Sequence, residues 1–184
     1  MNKIILSYLL LFGCIYKPTL MTSLPVEISR RPALAGSSSL YPDPLKTPGV
    51  VRRATTETDV CTPGFTSTIR NVNGGTKDEV FISYLGAVPA NTTDYEIDHF
   101  ISLELGGAND IRNLWPQPYA PLPGARQKDV VETYLKREVC AKRFNLDQVQ
   151  RIISIDWYAC YQMIQKQQPC LVPTGTPIFV TVDQ

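Results

Sequence analysis

Two stretches in the second half of the chain carry apolar residues at helical spacing. In the first, Val131, Tyr134, Leu135 and Val139 fall on one face, with Asp129 and Glu132 early, where the helix dipole favours acids. In the second, Leu146, Val149, Ile152, Ile153 and Trp157 make the stripe, and Asn145 stands where an N-cap is wanted. Both stripes predict core-facing helices whose apolar residues serve packing rather than a cofactor. Lys77 to Leu85 holds Val80, Phe81, Ile82, Tyr84 and Leu85, which fits a short helix or a strand equally. Tyr95 to His99 predicts a strand that ends at a Gly-Gly turn and returns near Arg112–Trp115. From Trp115 to Pro123 the prolines predict an extended connector, unable to continue a helix or a central strand. Ile178–Val182 predicts a terminal strand, and no internal repeat is visible. The fold class expected is α+β: a small β-hairpin plus helix, an additional C-terminal helix and disulfide-linked flanks.

At the N-terminus, Lys3 precedes the apolar run Ile4–Tyr16, the length of a signal h-region and too short to span a bilayer comfortably. Residues 1–20 are therefore expected to be a signal peptide, 21–50 a Pro/Ser-rich lead-in and 51–184 the functional domain. Leu11-Phe12-Gly13-Cys14 has the outline of a lipoprotein processing site, although Phe12 suits it poorly; Ala33-Leu34-Ala35 has the small-x-small form but lies far downstream. The protein is expected to be secreted or periplasmic, with no stable membrane span unless the signal is retained or Cys14 is lipidated. Export also accounts for the cysteines. Apart from Cys14, Cys61, Cys140, Cys160 and Cys170 remain, an even set suited to two disulfides in an oxidising compartment. Cys160 and Cys170 are close enough for a local clamp, which leaves Cys61 to tie the early segment to Cys140.

The formal net charge of +1 lacks the overall basic footprint of a dedicated duplex binder. Locally, Arg126, Lys128, Lys136, Arg137, Lys142 and Arg143 outnumber the acids that follow the hairpin. This stretch reads either as the solvated face of a helix or as a phosphate-tracking flank.

The chain's one histidine lies in Tyr95-Glu96-Ile97-Asp98-His99-Phe100-Ile101-Ser102-Leu103-Glu104-Leu105-Gly106-Gly107-Ala108-Asn109-Asp110-Ile111-Arg112-Asn113-Leu114-Trp115. An imidazole titrating near neutrality suits a general base, and an adjacent carboxylate suits a hard cation. From Asp98 to Leu114 this run resembles the HNH endonucleases of the His-Me finger (ββα-metal) class, with Ser102 where proline usually stands. The segment Cys61–Val72 resembles, more loosely, what precedes the motif in small exported bacterial and phage proteins of this kind. The resemblance implies a ββα-metal core and a metal-dependent endonuclease acting on DNA or RNA, with His99 activating water. It implies that Asp98 holds a divalent ion, probed first as Mg2+ or Mn2+, and that Asn113 faces His99 to orient it or complete the metal shell. Of the third ligands open in the following helix, Asp129 is the best oxygen donor by type, then Gln127, with Glu132 a turn further on. Lys128 and Arg126 are candidate phosphate contacts. The histidine or asparagine that many HNH proteins carry on that helix is missing from Gly124–Glu132, and without Cys-x-x-Cys knuckles no structural zinc is expected. Two other readings stand beside this one: a secreted binding or structural domain that keeps the hairpin without a complete metal site, and a Cys-dependent hydrolase, which would need His99 for both roles.

Overall fold

A computed structural model of the protein describes residues 40–176 and 179–183. The expected signal peptide, Cys14 and residues 21–39 of the expected lead-in lie outside them. The architecture is α+β, with five helices and two small two-stranded sheets among the described residues.

Strand β1 (Val50–Arg52) leads into two short helices, α1 (Glu57–Cys61) and α2 (Phe65–Ile69), and then α3 (Gly74–Leu85). The ambiguous run at 77–85 is thus helical: Asn73 caps it through Thr76 N at 2.9 Å, and Gly86 ends it at φ +81°. Strand β2 (Tyr95–His99) pairs antiparallel with β3 (Leu114–Pro118), so that Asp98 lies opposite Trp115 and His99 opposite Leu114. Then come α4 (Ala125–Cys140), α5 (Leu146–Gln165) and β4 (Val180–Val182), the last parallel to β1.

Both predicted stripes face the core, with Tyr134 and Leu146 partly buried at their margins. Val131, Leu135 and Val139 of α4 and Val149, Ile152, Ile153 and Trp157 of α5 form one core with Val51, Ile101 and Leu105. Burying each such side chain is worth roughly 1.5–3 kcal/mol, which is what holds α4 and α5 together. Asn145 caps α5 as expected, with Gln148 returning the bond. Disulfides Cys61–Cys140 and Cys160–Cys170 join α1 to the end of α4 and α5 to the segment after it. Such bonds belong to an oxidising environment. No helix among the described residues is long and apolar enough to cross a membrane.

Two expectations need correction. Residues 40–50 are part of the domain rather than its lead-in: Tyr41 packs on Trp157 with ring centroids 6.1 Å apart, and buried Thr47 donates to the Leu114 carbonyl at 2.8 Å. A Ser/Pro-rich sequence concealed this because the contacts lie on residues far away in the chain. The proline-rich connector also begins as strand β3. Main-chain bonds flanking the ladder, Phe100 N to Asn113 O and Tyr119 N to Asp94 O, set a parity in which Pro116 and Pro118 fall at positions whose nitrogen points away from β2. A strand with only one partner loses nothing there by lacking an N–H.

Candidate functional site

The pleat of β2 sends Asp98 and His99 to opposite faces of the hairpin. Asp98 turns toward α4, where Lys128 meets it. The Lys128 ammonium is fully buried and donates to Asp98 Oδ2 at 2.7 Å, to the His99 carbonyl at 2.8 Å and to Glu132. Its three protons therefore have three acceptors. Glu132 also accepts from Ser102 Oγ at 2.7 Å, which ties Ser102 into the same network. Burial opposes the charge on Lys128, but the two carboxylates outweigh it and raise its pKa. Burial likewise raises Asp98 and Glu132, against the pull of the one ammonium they share. Half-buried Glu96 and the more exposed Asp129 are raised as well, first by desolvation and then by neighbouring carboxylates.

On the other face, His99 Nε2 lies 3.1 Å from Asn109 Oδ1. The Asn109 amide is oriented by its own partners: Nδ2 donates to the Ile69 carbonyl at 2.6 Å, and Oδ1 accepts from Asn71 N at 3.3 Å. Reversing it would set two carbonyl oxygens against each other, so Oδ1 accepts from the imidazole and Nε2 carries the proton. Nδ1 is left with the lone pair, and no donor among the described residues takes it. Desolvation, helped by the charges of Arg70 and Lys128 and opposed by the Asn109 bond, brings the imidazole pKa to about 4. The ring is neutral and accepting throughout the neutral range, though a weaker base than free imidazole.

Asn113 was expected to face His99, and the structure gives it another task. It is wholly buried, its Oδ1 accepting from Val50 N at 3.2 Å and Ile101 N at 3.0 Å, its Nδ2 donating to Ile101 O and Ala108 O, both at 2.9 Å. One amide thus pins β1, the end of β2 and the Gly-Gly loop. That loop needs Gly107, because a Cβ there would stand 1.8 Å from the Ile101 carbonyl oxygen. Asn109, four residues earlier, takes the orienting role; its place directly after the Gly-Gly-Ala turn was the available signal. The loop's Asp110 instead caps Arg112 N at 2.9 Å.

The proposed ligand set of Asp98, Asn113 and Asp129 does not fit a divalent ion in this geometry. Asn113 Oδ1 already accepts two amide protons, and a tethered ammonium sits on Asp98. No group of three or more His, Cys, Asp or Glu suited to a metal occurs among the described residues. Gln127 accepts from Gly124 N at 2.8 Å at the start of α4. Of the candidate phosphate contacts Lys128 is corrected, since it is enclosed; Arg126 is exposed and lies over the Tyr119 ring at 5.3 Å.

The imidazole's state has a measurable consequence. A histidine whose folded pKa lies below its unfolded value of about 6.5 takes up its proton more readily when unfolded, so it costs stability as pH falls from about 6.5 to 4. The full cost is about 3 kcal/mol. Chemical denaturation of the parent and His99→Gln across this range should show the parent losing that much more stability; parallel curves would refute the depressed pKa.

Comparison of the chain with family models, with curated proteins and with solved structures finds no match.

Proposed function

We propose that this chain is an exported HNH-type endonuclease that hydrolyses phosphodiester bonds in nucleic acid, with His99 as the general base. The observation that supports this reading is the orientation of the imidazole. Asn109 holds the Nε2 proton, so the basic nitrogen is Nδ1, and that nitrogen is not spent on a structural bond. A water delivered to Nδ1 gives up its proton there as its oxygen bonds to phosphorus; the bond to the leaving oxygen breaks, and that oxygen takes a proton from solvent. Lys128 contributes indirectly, its bond to the His99 carbonyl fixing the main chain that carries the ring. The divalent ion expected from the resemblance finds no fitting set in Asp98, Asn113 and Asp129, so no step is routed through it. The ββα-metal core and the secreted or periplasmic location belong to the same proposal.

A second reading is favoured by one observation, the Lys128 ammonium fixed on Asp98. It makes the hairpin and α4 a scaffold closed by internal ion pairs, as in a secreted binding domain. Incubation of the protein with supercoiled plasmid and with RNA separates the two. The first reading expects cleavage with magnesium or manganese present, and an EDTA arm reports whether the ion is needed. Intact substrates in every arm would favour the second.

A further inference from the structure

The amide that orients His99 also holds a short piece of chain against it. Asn109 bonds the carbonyl of Ile69 and the amide of Asn71, the two residues that flank Arg70. Arg70 is the C-cap of α2, its own amide donating to Thr66 O at 3.0 Å, so its main chain is fixed on both sides and from below. Its side chain is exposed, and no carboxylate among the described residues pairs with it. A cation is thus delivered to the neighbourhood of the chain's one imidazole by the side chain that sets that imidazole's tautomer.

We infer that Arg70 is the anion-holding residue of the His99 site, its guanidinium taking phosphate oxygens and setting the phosphorus beside Nδ1. This rests on the nuclease reading for its substrate but not for its geometry. Three properties suit Arg70 to the task. A guanidinium offers a planar fork that matches two phosphate oxygens. It offers donors and no acceptor, and so does not compete with His99 for the water's proton. The cations of α4 are less suited, Lys128 being enclosed and Arg126 lying over Tyr119 on the helix toward which Asp98, not His99, turns. The coulombic effect of Arg70 on His99 agrees with their proximity.

With a single histidine, the imidazole Hε1 gives one NMR signal that needs no assignment by mutation. Inorganic phosphate titrated into the whole chain at constant ionic strength should shift that signal. Arg70→Gln should weaken the response about 10- to 100-fold, the worth of a charge-assisted hydrogen bond, while Arg70→Lys recovers part of it. Arg53→Gln, which removes an exposed arginine paired with Asp183, should leave it unchanged. Parent and Arg70→Gln responding alike, or neither responding, overturns the inference. A phosphate response lost in Arg70→Gln, with no cleavage of any nucleic acid by the parent, would uphold the anion site and sink the nuclease reading. Cleavage by the parent that Arg70→Gln matches in kcat/KM would do the reverse.

Discussion

Replacing Lys128 with methionine should cost about 3–5 kcal/mol, the usual penalty for stripping one partner from a buried ion pair, and lower Tm by roughly 10–15 °C. Methionine fills similar space, so packing is largely kept and the loss is electrostatic. Asp98 and Glu132 would then face each other inside the protein with no cation between them. The pH dependence follows from their direction of shift. Both carboxyls are already raised, and without the ammonium they rise further, so the folded variant takes up protons at a higher pH than its unfolded chain. The deficit is therefore greatest at neutral pH and shrinks as pH falls through the folded pKa values. Combining Lys128→Met with Asp98→Asn and Glu132→Gln should recover most of the stability. Thermal unfolding with the disulfides intact checks both statements; a Tm within about 2 °C of the parent at pH 7 would show that the triad contributes little.

The second large effect falls on catalysis. His99→Ala should lower the cleavage rate by a factor on the order of 10²–10⁴, the range a positioned base contributes. The lower half of that range is the better expectation, because burial that holds the imidazole pKa near 4 makes it a weaker base. Its position, rather than its basicity, carries the effect. The substitution also removes the partner of Asn109 Oδ1, but that oxygen keeps the Asn71 amide and Nδ2 keeps the Ile69 carbonyl. The loop should therefore hold its shape, and the variant should unfold cooperatively with both disulfides formed.

Local pattern accounts for what the sequence made legible. Helical stripes placed α4 and α5, the Asn145 cap placed the start of α5, and the spacing of Cys160 and Cys170 picked out a clamp that left Cys61 for Cys140. What escaped was set by contacts between distant elements. Lys128 was read as a surface cation, since nothing in a helical pattern shows that its side chain reaches a carboxylate thirty positions back. Asn113 and Asn109 are the same residue type in one loop, and lettering alone cannot decide which faces the imidazole. Asp98 and His99, which the resemblance implied would serve one phosphate together, instead part to opposite faces of the extended strand, and their separate partners make that concrete.

The claim that His99 is a base acting on a phosphodiester is tested most directly by the single-turnover cleavage rate of one labelled oligonucleotide, measured side by side for the parent and His99→Ala. Equal cooperative unfolding of the two proteins is the control. The account predicts a parent rate at least about 100-fold the higher. Equal rates, or a parent that cuts neither DNA nor RNA with magnesium or manganese supplied, would contradict it.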